Sequence, residues 1–204
     1  MGMSDVSAVT ITADTVALDA DGISVATSVG NNAALVIGGA LASGGAVALS
    51  HGRIVTILSA GNDAAKSFTV VGTDVNGDAQ TESITGANAG TATGTNYFLT
   101  IASITAVGNP AGNVSAGVNA SAADVIFAGR SRLKGIYLTS TATAGTVDFL
   151  NTSPSGTSIL GLSSVGDADA TRDVVIPEEG VLFKAGIYIE YTVSTFLTMT
   201  VFHA

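Results

Sequence analysis

The stretch that decides the fold is "FTVVGTDVNGDAQTESIT", residues 68–85. Two runs rich in Val, Thr and Ile flank a short segment of Asp, Asn and Gly. Asn76-Gly77 between such runs favours a β-hairpin, because Asn and Gly readily accept the positive φ values of a type I′ turn. The stretch therefore predicts two antiparallel strands, at residues 67–73 and 80–85, joined by a tight turn.

The same turn has the spacing with which a calcium loop begins, since Asp74, Asn76 and Asp78 alternate with other residues. An EF-hand loop also needs a glycine at its sixth position and a bidentate glutamate at its twelfth. Counted from Asp74, these positions hold Ala79 and Thr85. The EF-hand interpretation fails and the hairpin is favoured, while weak calcium binding of another kind at residues 74–78 stays open.

Short runs of β character recur along the whole chain, each closed by Gly, Asn, Asp or Pro. No window shows the apolar spacing of an amphipathic helix. We predict an all-β protein of antiparallel β-sandwich domains, Ig-like or jelly-roll-like, with little or no helix. The predicted strands are residues 8–12, 34–37, 47–49, 53–59, 67–73, 80–85, 97–103, 114–118, 133–140, 146–150, 158–163, 172–176, 181–183, 186–192 and 197–202.

A change of composition near residues 119–129 suggests two domains. The first part is rich in Gly and Thr, and the second has more Tyr, Phe and Leu. We predict a break at residues 119–123, an N-terminal β domain with an N-terminal arm over residues 1–123, and a C-terminal β-sandwich over residues 124–204. In the second domain, Pro177 is expected to end one strand and residues 178–180 to turn into the next.

Composition excludes several classes of function. Charged residues make up only 11% of the chain and the net charge is -9, so there is no basic face for nucleic acid. The absence of cysteine excludes disulfides and thiolate metal sites. Residues 22–50 carry no charge, but they never form the unbroken apolar run of a membrane span. We interpret them as apolar strands, or as a surface that contacts another subunit or a shell.

The residues that could carry chemistry do not assemble into a recognisable site. His51 beside Arg53 could supply a base next to a cation, but a turn entering a strand is the simpler interpretation. The acidic pairs Asp167/Asp169 and Glu178/Glu179 could suggest a glycosidase, which needs two carboxylates facing each other across a bond. Neighbours in exposed loops are usually solvated instead. We therefore predict no catalytic, cofactor-binding or metal-binding residue and no enzymatic activity.

The basic residues gather in one place. Arg130, Arg132 and Lys134 stand at the predicted start of the second domain. They could bind an acidic patch on a partner subunit, or they could simply solvate that edge.

Residues 52–108 resemble a segment of structural proteins of tailed bacteriophages. The resemblance rests on "RIVTILSAGND", residues 53–63, on "FTVVGTDVNGDAQTESITGANAG", residues 68–90, and on "FLTIASIT", residues 98–105. The C-terminal stretches "RLKGIYLTSTATAGTVDF" and "IPEEGVLFKAGIYIEYT" are similar to a small β domain of other phage virion proteins. About two thirds of the chain is covered, and residues 1–50 match weakly.

The resemblance implies a virion structural protein and transfers no catalytic residue. It implies a capsid decoration or cement protein on the outside of the phage particle, assembled in the host cytoplasm, with the major capsid protein or other virion proteins as partners. Such a protein would associate with itself, most simply as a homotrimer, and would bind neither nucleic acid nor membrane. The alternative is a tail or fibre-associated module that adapts tail parts or recognises the host.

Overall fold

The computed structural model describes residues 5–204, which form strands, turns and irregular segments without any helix. Twelve strand pairings among these residues are antiparallel. The all-β prediction is confirmed. The strands are β1 Ser7–Thr12, β2 Asp19–Ser28, β3 Ala42–Ser43, β4 Ala46–Ser59, β5 Ser67–Thr73, β6 Ala79–Thr85, β7 Thr91–Val107, β8 Asn113–Phe127, β9 Ser131–Ser140, β10 Ala144–Asn151, β11 Thr157–Val165, β12 Thr171–Val175, β13 Val181–Phe183, β14 Ile187–Thr192 and β15 Phe196–His203.

The hairpin predicted at residues 67–85 is confirmed, but its turn is of another type. β5 and β6 pair in unbroken register from Ser67↔Thr85 to Thr73↔Ala79. Gly77 has a φ of 86°, whereas Asn76 is not among the residues with positive φ, so the turn is not type I′. A longer loop closed by one glycine in the left-handed region is the next most common hairpin connection.

Contacts divide the chain into two compact units. The central unit is Ala17–Ala120, and the terminal unit combines the residues up to Val16 with Ser121–Ala204. In the central unit the strand order is β8-β4-β7-β5-β6, with β2 paired to β8 and β3 paired to β4. Its core is built from large apolar side chains of these strands, among them Ile57, Phe68, Phe98, Ile101 and Ile104.

The terminal unit contains two sheets, as a β-sandwich requires. One has the order β1-β15-β9-β12 with β13 also on β9, and the other runs β11-β10-β14-β8. The sheets meet at Tyr191 of β14 and Phe196 of β15, whose ring centroids are 4.9 Å apart. The Tyr191 hydroxyl also accepts a hydrogen bond of 3.0 Å from the Asp14 amide.

Two expectations about chain organisation differ from the structure. β8 runs without interruption through residues 119–123, where a break was predicted, because Ala122 and Ala123 continue its pairing with β14. β1 was expected in the N-terminal domain, yet it pairs with β15 over Ser7↔His203 to Thr12↔Thr198. Pairing of segments almost a chain length apart leaves no local signature. The first four residues of the predicted arm lie outside the described residues.

Other strand predictions need smaller corrections. The predicted strands at residues 47–49 and 53–59 are one strand, β4. Residues 34–37 form no strand, and only a single bridge joins Ala34 to Thr105. β2 was not predicted, because its sequence DADGISVATS lacks clear alternation. The turn predicted at residues 178–180 is confirmed and β13 has its predicted bounds. β12 and β13 lie end to end along β9.

Candidate interaction surfaces

The uncharged residues 22–50 contribute to both the core and the surface of the central unit. The side chains of Ile23, Val29, Leu35 and Val47 are buried in its core. Between them, Val25 is 53% exposed and Val36 is 73% exposed. This segment therefore places apolar side chains on the surface of its unit as well as in the core.

An apolar pocket lies at the end of this segment. Its volume is about 300 Å³, and it forms where β3 folds onto β4 and where Val47 and Ala48 pair with Ile101 and Thr100 of β7. No ionisable side chain lines this "uncharged pocket". The lining residues are Leu41, Ser43, Ala46, Val47, Ala48, Thr100, Ile101 and Ala102.

Two half-buried acidic groups of the central unit bind its own backbone. Both oxygens of the Glu82 carboxylate accept hydrogen bonds from β7, including 2.6 Å from the Thr95 amide and 3.4 Å from the Asn96 amide. Asp19 Oδ1 accepts one of 3.2 Å from the Asp21 amide. These carboxylates hold strand and turn geometry, and they do not converge on a common point.

Two charged side chains of this unit are fully buried. The Arg53 guanidinium donates to the backbone carbonyl of Asn119. Asp63 Oδ1 accepts a hydrogen bond of 2.7 Å from the Ala111 amide. Both side chains tie loops or strand ends to the core. Arg53 lies with His51 inside β4, so the predicted turn at His51 is wrong.

The carboxylate of Asp74 is engaged by the turn in which it lies. Its Oδ1 accepts hydrogen bonds from the amides of Asn76 at 2.8 Å and Asp78 at 2.9 Å. The Asn76 side-chain amide reaches Oδ2 at 3.3 Å. Within residues 5–204, no group of three or more His, Cys, Asp or Glu side chains could hold a metal ion. Calcium binding at residues 74–78 would have to compete with this hydrogen bonding.

The two acidic pairs lie in exposed turns of the terminal unit. Asp169 adopts a φ of 61° and donates its amide to the Ser140 carbonyl. Glu178 adopts a φ of 56° in the turn closed by the bond from the Gly180 amide to the Pro177 carbonyl. All four acidic residues are exposed.

Two residues of the basic cluster bind within their own chain, which neither sequence interpretation anticipated. Arg132 forms a salt bridge of 3.3 Å with Glu179 and donates to the Gly180 carbonyl at 3.2 Å. Lys134 Nζ donates to the Glu178 carbonyl at 3.0 Å. Both cations on β9 thus secure the turn between β12 and β13.

A serine and a histidine meet in the terminal unit, a pair that sequence reasoning did not find. Ser131 Oγ lies 3.2 Å from His203 Nδ1, and the two residues are 72 positions apart. Only the pairing of β9 with β15 brings them together. Ser131 is 4% exposed and His203 is 6% exposed, so this hydroxyl is not presented to a substrate.

Three aromatic side chains are exposed, although most of the others are core residues as expected. Tyr137 is 43% exposed and Phe202 is 37% exposed on neighbouring strands β9 and β15. Phe202 is paired with Gly135, two residues from Tyr137, so the rings are diagonal neighbours on one sheet face. Phe127 is 43% exposed and lies against His203 with ring centroids 5.1 Å apart.

Residues 5–204 contain no helix that could span a membrane.

No protein-family model and no curated protein matches the chain. Among solved structures, the chain is similar to the major capsid protein P2 from Bacteriophage PM2, at 10% identity over 96% of both chains with a TM-score of 0.26. It is also similar to a chain in the structure of infectious bursal disease virus Gx strain, at 12% identity over 98% of this chain and 75% of the other with a TM-score of 0.11. Both are viral structures and one is a capsid protein, but similarity at this level establishes no common fold.

Proposed function

We propose that this chain is a non-enzymatic structural protein of a tailed-phage virion, and that it is a decoration or cement protein on the outside of the head. Its partners are the major capsid protein and further copies of itself in a closed homotrimer. It is made in the host cytoplasm and ends up on the particle. The uncharged pocket, with the exposed apolar residues of the same segment, is the observation that carries the proposal.

The pocket suits a protein partner of apolar character. Its lining offers small side chains and no charge, so an apolar side chain of the capsid surface can enter without desolvating an ion. Exposed apolar surface that the monomer does not need for its core commonly marks a contact site. The resemblance of residues 52–108 to phage structural proteins includes the pocket-lining part of β7.

Repetition makes such a contact useful. A single small apolar contact is weak, but closed symmetry and many copies on a shell multiply it without any new chemistry. A nearly uncharged surface also avoids the repulsion that identical charged patches would create around a symmetry axis.

The test is binding to empty phage heads that lack the protein. We expect the wild-type chain to co-sediment with the heads, to raise their disruption temperature, and to sediment alone as a trimer. Ala48→Glu and Ala102→Glu, each placing a charge in the pocket wall, should reduce binding at least tenfold. Thr81→Glu on the exposed side of β6 adds the same charge elsewhere and should bind normally. Equal binding by all three variants, or no binding by the wild-type chain, would reject the proposal.

A tail or fibre-associated role is favoured by a different observation. Tyr137 and Phe202 are exposed side by side, and aromatic rings with neighbouring hydroxyls are one way in which proteins hold sugars. If this role is correct, the chain binds host glycans on an array and Tyr137→Ala abolishes that binding, while the pocket variants do not.

A further inference from the structure

Asn76 is the one asparagine of the chain that is followed by glycine. Asparagine is a chemically labile residue, and a following glycine makes it most reactive, because no β-carbon shields the backbone nitrogen that attacks the side chain. Both Asn76 and Gly77 are exposed in the turn between β5 and β6. The turn therefore presents a site at which a side-chain amide can be converted into a carboxylate.

The conversion requires water and no other reagent. The Gly77 nitrogen gives up its proton and bonds to Cγ of Asn76, the bond between Cγ and Nδ2 breaks, and ammonia leaves with a proton from solvent. Water then opens the resulting succinimide ring at one of its two carbonyl carbons, which gives aspartate or isoaspartate at position 76. In sum, the side-chain amide and one water become a carboxylate and an ammonium ion, and nothing is oxidised or reduced.

Hydrogen bonds of the closed turn oppose this reaction at both reacting groups. The Gly77 amide donates to the Asp74 carbonyl at 3.1 Å, which holds the proton that must leave. The Asn76 side-chain amide donates to Asp74 Oδ2 at 3.3 Å, which directs it back toward residue 74. Attack instead needs Cγ within about 3–3.5 Å of the Gly77 nitrogen. The turn therefore has to open before the reaction proceeds.

The carboxylate of Asp74 holds the turn closed. Its Oδ1 also accepts hydrogen bonds from the amides of Asn76 at 2.8 Å and Asp78 at 2.9 Å. The hairpin lies where a sheet ends, because β6 pairs with β5 and stands last in the strand order. Exposed hairpin ends of this kind open locally at a low cost in free energy. We propose that Asn76 is a deamidation site that reacts when this turn opens, and that the Asp74 carboxylate protects it while the turn is closed.

Deamidation keeps the turn from closing again. The new carboxylate replaces the donor Nδ2 beside Asp74 Oδ2, so an attractive contact becomes a repulsion between like charges. The isoaspartate product also adds a methylene group to the main chain, in a turn that joins two strands paired in unbroken register. A chain whose turn has opened and reacted is therefore permanently different from one whose turn has stayed closed.

The test uses the isolated full-length chain without phage heads, because the inference goes beyond the proposed function. After incubation at mildly alkaline pH, mass spectrometry of digested protein measures the conversion at each asparagine. We expect slow conversion at Asn76 in the folded chain, and conversion at least about tenfold faster in the chain unfolded in urea. Asn32 and Asn88 are also exposed but precede alanine, so they serve as internal controls and should react far less. Equal rates in the folded and unfolded chains would overturn the protection. Conversion at Asn76 no faster than at Asn32 and Asn88 in the unfolded chain would overturn the site.

Two variants separate the hydrogen bonds of Asp74 from its charge. Asp74→Ala should accelerate conversion in the folded chain about fivefold, because the turn opens more often without its acceptor. Asp78→Ala removes a carboxylate from the same turn but keeps the backbone amide that bonds Asp74, and its rate should stay within about twofold of wild type. Both variants are incubated well below their melting temperatures, so that global unfolding does not contribute. Equal acceleration by both variants, or none by Asp74→Ala, would overturn the protective role of Asp74.

Discussion

The two units have similar lengths but use their charges differently. The central unit carries six acidic and two basic residues, and the terminal unit ten and five, which together give the 16 and 7 of the whole chain. In the central unit, Arg53 and Asp63 are buried, and Glu82 binds backbone amides. In the terminal unit, Arg132 and Lys134 secure an exposed turn. The central unit therefore has few charges left for its surface. The terminal unit uses charged side chains to fix a turn.

The largest expected effect distinguishes the buried Arg53 from the half-buried Arg132. Arg53→Met keeps much of the side-chain volume but leaves the Asn119 carbonyl without the guanidinium, so we expect a loss of about 3 kcal/mol or more in the free energy of unfolding. Arg132→Met removes an exposed ion pair and should cost less than about 1 kcal/mol. Urea unfolding measures both variants. Equal losses in the free energy of unfolding would show that Arg53 and Arg132 contribute equally to stability.

A second prediction tests how closely strands approach in the central unit. A β-carbon on Gly72 would overlap the carbonyl oxygen of Thr100 on β7. Gly72→Ala should therefore force β5 away from β7 and cost about 2–3 kcal/mol, as overpacking does. In the terminal unit, a β-carbon on Gly135 would lie 3.2 Å from the Val174 carbonyl oxygen, so Gly135→Ala should cost less.

Gly30→Ala serves as the control for backbone crowding, because no atom lies within 4 Å of the added carbon. Thermal melts monitored by circular dichroism provide the measurement. If the Gly72→Ala and Gly30→Ala variants have the same melting temperature, the close approach of β5 and β7 at Gly72 does not stabilise the central unit.

The smallest effect concerns the turn at Asp74. Asp74→Ala removes the acceptor of the Asn76 and Asp78 amides and should destabilise the central unit by about 1 kcal/mol. Asp74→Asn keeps an oxygen acceptor and should recover most of that loss. Calcium at millimolar concentration should leave the melting temperature of the wild-type chain unchanged. A calcium-dependent rise that Asp74→Ala eliminates would establish a metal site in place of a simple turn.

Local patterns located most strands, because alternation and turn chemistry involve only a few neighbouring residues. β5 and β13 have their predicted bounds, since Gly, Asn and Pro mark their ends clearly. The same reasoning failed at β8, where small residues at 119–123 resembled a linker although they continue a strand. It also missed β2, whose sequence lacks clear alternation and whose pairing with β8 has two register shifts.

The candidate surfaces were predictable only in part. The absence of charge in residues 22–50 pointed to an interaction surface, but the sequence could not show that Ala48 and Ala102 share a pocket. The use of Arg132 and Lys134 within their own chain was likewise not visible in the sequence.

The sequence by itself determined that this protein is built of antiparallel strands with few charges, because strand alternation, turn residues and net charge are properties of short segments and of composition. Tertiary structure alone decided which strands are neighbours and which charges are buried. The pairing of β1 with β15 joins segments about 190 residues apart, and the buried Ser131–His203 contact depends on β9 lying beside β15. These pairings are stabilised by the burial of whole sheet faces. The free energy of that burial depends on residues far apart in the chain, so no short segment determines it.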